Sequence, residues 1–274
     1  MTKKPGLLGR SYNAVILFFL YSPIFILIVF SFNSTRSRSV WSGFTLGWYK
    51  SLLLDSSIMN SFYTTIIIAL FSAVVATIAG TFAAVGFYNM RRRWRTPLMH
   101  INNIPMMNAD IVTGISLSLL FVSLGSALKF NLGFGTLLIA HITFNIPYVV
   151  LSVMPKLRQL DVNLLDAACD LGCTWTQAFL KVIVPEIMPG IINGLIIAFT
   201  LSIDDFVISY FTAGGNVMTL PMQIFAMTRK RVSPEINALS TILFLTVLVL
   251  LIVINVREAR QEDNLKKSAK ALNR

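Results

Sequence analysis

Polar and apolar positions along this chain are sorted into long blocks. Apolar runs occupy roughly 12–32, 61–88, 97–124, 134–155, 187–211 and 236–256, with polar segments between them. Each run reaches or approaches the ~20 residues that an α-helix needs to cross a hydrocarbon core. Lipid offers the backbone no hydrogen-bond partner, so such runs form helices or a closed barrel. They lack the period-2 alternation of barrel strands, which leaves helices. The pattern predicts an all-α, polytopic membrane protein. Six transmembrane helices fill 12–256, a short segment (1–11) precedes them and a charged tail (257–274) follows. No internal repeat stands out.

Composition agrees. Hydrophobic residues make up 55% of the chain and charged residues 13%, whereas a soluble domain carries about a quarter charged. The first run follows Lys3, Lys4 and Arg10, as a signal peptide would. Its apolar stretch from Ala14 to Phe32 is too long for an h-region, however, and no A-x-A-like site follows. An uncleaved first helix, kinked at Pro23, is expected. Basic residues concentrate near the N-terminus, in Arg91–Arg93 and Arg95, in Lys156, Arg158 and Lys181, and in the tail from Arg257 onward. The positive-inside rule then places both termini in the cytoplasm. Outside linkers are 33–60, 125–133 and 212–235, the last holding Arg229, Lys230 and Arg231. The net charge of +11 is thus inside bias and attraction to anionic lipid. A basic stripe interleaved with aromatics is absent, so no nucleic-acid partner is expected.

Enzymatic motifs are missing. There is no G-x-x-x-x-G-K-[ST], "GISLS" (114–118) lacks the last glycine of a nucleophile elbow, and His100 and His141 form no H-E-x-x-H. Cys169 and Cys173 are two ligands short of a zinc site. No catalytic residue, metal or cofactor is expected, and His141 reads as a packing residue. Small residues at four-residue steps, Ser72, Ala76, Gly80 and Ala84, and the pair Gly190 and Gly194 predict close helix approach within the chain.

Acids inside the apolar runs are the sharper signal. Asp110 falls in the third run, and Asp204 and Asp205 in the fifth. A carboxylate at mid-membrane costs at least ~2.5–3.5 kcal/mol, so such residues face a cavity or a partner. On a continuous helix, Ser202, Asp205, Ser209 and Thr212 form one stripe. That makes Asp205 the acid lining an aqueous path, with Asp204 its neighbour or structural partner. Asn103, Asp110 and Thr113 share a face in the same way. Phe206, Tyr210 and Phe211 nearby suit a cationic cargo through cation–π contact. Glu235, in "SPEINAL", is either a helix N-terminal charge or a substrate contact.

The segment "LLDAACDLGCTWTQAFLKVIVP" (164–185), within the inside loop 156–186, is polar enough to leave the membrane. Asp161 or Asn163 offers an N-cap and Gly172 a C-terminal stop. A second amphipathic helix follows, with Trp175, Phe179 and Val182 on one side, until Pro185 breaks it. Its pattern, D-A-A-x-x-x-G, nine residues, V-x-V-P, resembles the EAA motif of ABC-importer membrane subunits. Asp166, Ala167, Ala168, Gly172 and Pro185 occupy motif positions, with Asp166 replacing Glu, Val182 Ile and Val184 Leu. Across nearly the whole chain, "YSPIFILIVFSFNSTR", "WSGFTLGWYKSLL", "AHITFNIPYVV", "LSIDDFVISYFTAGG" and "SPEINALSTI" resemble the spermidine/putrescine importer permeases.

That resemblance implies the type I importer permease (MetI-like) fold in a bacterial plasma membrane. It implies a second homologous permease, two ATPase subunits that hold ATP and Mg, and an extracytoplasmic polyamine-binding protein. The EAA loop would dock on the ATPase, leaving this chain non-catalytic. A permease for another cargo (iron, sulfate, phosphate or thiamine), an ion-coupled secondary transporter and a non-transporting scaffold are the alternatives.

Overall fold

The computed structural model describes residues 7–35, 40–161, 163–230, 234–249, 251, 252 and 256. Lys3, Lys4, Arg231 and the tail lie outside the described residues. Two compact units emerge, one drawn from Met1–Met59 with Ile224–Ile252, the other from Asn60–Gln223 with Val253–Arg274.

The first unit opens with α1 (Leu7–Phe30), which contains Pro23. Its apolar residues point all round, and Phe18 and Phe19 are about 70% exposed, as a helix bathed in lipid requires. The chain then folds tightly. Asn33 is fully buried; its Nδ2 donates to the Val40 carbonyl (2.8 Å) and its Oδ1 accepts from the Ser42 N–H (2.9 Å). The Trp48 indole donates to the Asn33 carbonyl (2.7 Å), and Phe32 stacks on Phe44. The described part of the 33–60 linker therefore packs on itself and carries α2 (Gly47–Leu54). Asp55 then accepts from the Ser57 and Ile58 N–H groups (2.8 and 3.3 Å) and so caps α3 (Ser56–Asn89).

In the second unit α3 continues, followed by α4 (Arg92–Met107), α5 (Asp110–Leu128), α6 (Phe134–Gln159), α7 (Leu164–Asp170), α8 (Trp175–Ala178), a π-helical turn (Phe179–Ile183), α9 (Val184–Asp204), α10 (Val207–Thr212) and the start of α11 (Leu220–Lys230). The first unit resumes at Ile224 of α11 and includes α12 (Pro234–Val249). Val149 of α6 sits between two glycines. A Cβ on Gly80 of α3 would stand 2.7 Å from Val149 Cβ, and one on Gly194 of α9 would stand 3.2 Å from Val149 Cα. Ser72, Ala76 and Ala84 are buried on the same face of α3. The small-residue steps thus serve packing inside the chain, and around them lies a core of Ala73, Val150, Val153, Ile187 and Ala198.

Among the described residues five helices are long and apolar enough to cross a membrane: Ser11–Phe30, Ser56–Asn89, Asp110–Leu128, Phe134–Gln159 and Trp175–Asp204; Pro234–Val249 is a shorter apolar helix. Three boundaries differ from the expectation. The third run is not one helix. α4 contains Pro97 and Pro105 and buries none of its residues, and the chain extends at Asn108 before α5 starts at Asp110. Asn103 and Asp110 therefore share no helix face. The fifth run stops at Asp204 and resumes at Val207. Pro185 ends nothing, because it lies in the first turn of α9, where a missing N–H costs little. The π turn just before it lets the Val184 N–H reach the Phe179 carbonyl, so the rod runs on from Trp175 to Asp204.

Candidate functional site

The acids meet where α9 breaks. α5 packs against α10 across Gly114, where a Cβ would stand 3.1 Å from the Phe211 ring and 3.4 Å from the Val207 carbonyl oxygen. That close approach carries Asp110, the first residue of α5, to the break. Asp110, Asp204 and Asp205 then line one cleft with Phe144 and Tyr148 of α6, Leu201, Phe206 and Val207, about 290 Å³ in volume. Phe144 and Tyr148 meet edge to face at 5.5 Å.

The two adjacent acids both line the cleft but differ in their hydrogen bonding. Asp205 is extended (φ −63°, ψ 123°). Its Oδ1 accepts from the Ile208 N–H (3.2 Å), and its Oδ2 from the Ser209 N–H and hydroxyl (both 2.8 Å). It is the N-terminal cap of α10, with a side chain only 7% exposed. Asp204 is exposed, and no hydrogen bond from another described residue reaches its carboxylate. Ser202, Ser209 and Thr212 are buried and face α6 rather than water: Asn145 Nδ2 donates to Ser202 Oγ (2.8 Å), His141 Nε2 meets Ser209 Oγ (3.0 Å), and the Thr136 hydroxyl donates to the Thr212 carbonyl (2.8 Å). The polar stripe is a seam between helices. Tyr210 stands outside the cleft lining, in ring contact with Phe206 (5.6 Å) and Phe211 (5.4 Å). Glu235 lies in the first turn of α12, in the other unit, where an acid complements the helix dipole.

Sequence reasoning missed Phe144 and Tyr148 and left His141 unpartnered. The signal was available: His141, Asn145 and Tyr148 advance by four and three residues, a polar face on an otherwise apolar helix.

The 156–186 loop forms a second site. α7 ends in a Schellman motif: Gly172 has φ +89°, its N–H donates to the Cys169 carbonyl (2.9 Å) and the Cys173 N–H to the Ala168 carbonyl (3.1 Å). Asn163 holds the N-cap position but makes no side-chain cap bond. Instead Asp161 Oδ1 accepts from the Asn163 N–H (2.9 Å). α8 begins with a reciprocal capping box, Thr174 with Gln177 (3.2 and 3.4 Å). Trp175 and Phe179 stack in parallel at 5.7 Å. With Tyr88, Leu157, Leu160, Asp161 and neighbours they line a cavity of about 250 Å³, which ties the loop to the ends of α3 and α6. Ala168 packs inward. Asp166, Ala167 and Leu171 (88% exposed) face out. Cys169 and Cys173 are free thiols.

A family model described as "Binding-protein-dependent transport system inner membrane component" matches residues 76–261. The chain is 42% identical over 246 residues to the spermidine/putrescine transport system permease protein PotC of Escherichia coli, covering 90% of this chain and 92% of that protein. It is 41% identical over 228 residues to the putrescine transport system permease protein PotI of the same organism, covering 82% and 81%. Among solved structures, a bacterial ABC transporter involved in the import of the acidic polysaccharide alginate superposes with a TM-score of 0.66 over 94% of this chain and 95% of that one, at 14% identity; that likeness speaks for the fold. The chain therefore belongs to the binding-protein-dependent transport system inner membrane components, the membrane-spanning permease subunits of ABC importers.

Proposed function

We propose that this chain forms half of the membrane pathway of an ATP-driven importer of polyamines, the class that includes spermidine and putrescine. The observation that carries this reading is the cleft in which Asp110 and Asp204 open beside the rings of Phe144, Tyr148 and Phe206, in a chain whose close relatives are named for polyamine transport. Carboxylates and π-faces together favour an organic polycation and repel sulfate or phosphate. Asp204, with its carboxylate open, takes the cargo-contacting role, while Asp205 holds the local fold.

The exposed face of α7 and α8, with Asp166 and Ala167, docks on a cytoplasmic ATPase subunit that holds ATP and Mg. Two such subunits and a second permease complete the transporter. Both chain termini then lie in the cytoplasm, and the outer linkers receive an extracytoplasmic polyamine-binding protein. Arg229 stacks over Phe225 at 4.9 Å, and the basic run Arg229, Lys230, Arg231 suits an acidic surface of that protein. Nucleotide closure in the ATPase pair pulls the loop and rocks the helices between inward-open and outward-open states.

The test is uptake of labelled spermidine, putrescine and sulfate by liposomes containing the complete transporter. ATP-dependent uptake of either polyamine, lost in the Asp204→Asn variant, is expected. Uptake of sulfate without polyamine, or polyamine uptake driven by a proton gradient in the absence of the ATPase, would refute the reading.

A further inference from the structure

His141 is 1% exposed in the middle of α6 and outside the cleft lining, yet it touches the residues that build the cleft. Its Nε2 lies 3.0 Å from Ser209 Oγ and 3.5 Å from Asp205 Oδ2. The grouping resembles a hydrolytic Ser–His–Asp triad but is wired differently. In a triad the acid orients Nδ1 while serine meets Nε2. Here serine and acid both meet Nε2, and Ser209 is fully buried. No nucleophile is being prepared.

Proton accounting fixes the state of the ring. The Ser209 hydroxyl hydrogen goes to Asp205 Oδ2 (2.8 Å). The hydrogen between Ser209 Oγ and the imidazole therefore belongs to Nε2. Nδ1 is buried without a partner among the described residues, and a hydrogen there would be an orphaned buried donor. The neutral Nε2–H tautomer satisfies every group except one weak acceptor.

We propose that His141 is a positioning residue for Asp204. By donating to Ser209 and facing Asp205, it anchors the start of α10 to α6. Asn145, one turn further along α6, anchors the end of α9 through Ser202 (2.8 Å), and Ser72 of α3 meets the same hydroxyl (3.0 Å). The break between α9 and α10 is thus pinned on both sides to one rigid helix. The residue held between the pins is Asp204, and the pinned geometry directs its carboxylate into open space. Side chains pack to crystal-like density in such a seam, so removing one pin lets α10 shift and Asp204 with it. The consequence for cargo rests on the polyamine reading; the consequence for Asp204 exposure does not.

The experiment uses the complete transporter in liposomes with two readouts. One is the spermidine concentration giving half-maximal ATP-dependent uptake. The other is the rate at which a water-soluble thiol reagent labels Asp204→Cys, in a background carrying Cys169→Ser and Cys173→Ser. His141→Leu is expected to raise half-saturation about ten-fold, the scale of one lost hydrogen bond between a misplaced Asp204 and a cationic cargo, and to change the labelling rate several-fold. His141→Gln, whose amide donates over a similar reach, restores both. Unchanged labelling in His141→Leu overturns the proposal, as does a fall in maximal rate alone with half-saturation unmoved. Should His141→Leu fail to assemble, His141→Asn, too short to reach Ser209, replaces it under the same criteria. If the unaltered transporter ignores spermidine, the polyamine reading falls and the labelling pair alone decides the role of His141.

Discussion

Between α7 and α8 the chain turns on signals carried by the turn itself. Gly172 supplies the left-handed residue and Thr174 with Gln177 caps the next helix. Between α9 and α10 a comparable interruption has one local device, the Asp205 cap. It is otherwise held by α6, through His141 and Asn145, and by α5, across Gly114. The loop's turns carry their own chemistry, although α3 and α6 seat its base. A break that aims a charge inside a bundle gains its accuracy from its neighbours. The first should therefore tolerate change elsewhere in the bundle, and the second should not.

The strongest way to break this contrast is to exchange the roles of the two neighbouring acids. Asp204→Asn removes an open charge and nothing that holds the fold. Polyamine uptake should drop at least about ten-fold, the scale of a lost interaction with a cation, with no fall in thermal stability. Asp205→Ala strips the cap from α10 and leaves the Ser209 hydroxyl and the Ile208 and Ser209 N–H groups without their acceptor. A lost cap costs about 0.5–2 kcal/mol and an orphaned buried donor about 1–3 kcal/mol, so the melting temperature in detergent should fall clearly. Equal stability of both variants would erase the distinction. A somewhat smaller loss should follow from Gly194→Leu, because a Cβ there already stands 3.1 Å from Val149 Cγ1. Overpacking of this kind costs about 1–3 kcal/mol, and α9 pushed from α6 should carry Ser202 from Asn145. Uptake should fall while ATPase binding to the loop survives.

The same contrast explains what could be read from the chain alone. Apolar blocks announced the helices, and the spacing of Asp166, Ala167, Ala168 and Gly172 announced the loop, because both depend on near neighbours. The α9–α10 break was hidden, since the apolar run from Ile187 to Phe211 is interrupted by charge only at Asp204 and Asp205 and, beyond the Asp205 cap, what holds the break comes from α5 and α6. Assuming continuity put Asp205 on the watery side, when Ser202, Ser209 and Thr212 instead find partners on another helix, as polar groups in lipid do. Asp110 shifted for a related reason. The apolar count ran through Pro97, Asn102, Asn103 and Asn108, and so blurred two helices into one.

Two smaller effects probe the loop. Gly172→Ala forces an L-residue to φ +89°, which costs about 1–2 kcal/mol. Part of that strain should appear as weaker capture of the ATPase, about ten-fold at most, measured by pull-down of the ATPase on immobilised permease. Polyamine binding in the cleft should not move.

Thr174→Ala is milder, since it deletes one side-chain acceptor, the one that the Gln177 N–H reaches at 3.4 Å. The N-cap range of about 0.5–2 kcal/mol applies at its lower end, because the bond is long and exposed. α8 should fray at its first turn and loosen the Trp175–Phe179 stack, lowering coupled ATP hydrolysis by about two- to three-fold. Thr174→Ser keeps the acceptor and should behave as the unaltered chain. If serine and alanine are equally impaired, the start of α8 is not held by its own capping chemistry, and the contrast with the α9–α10 break is lost.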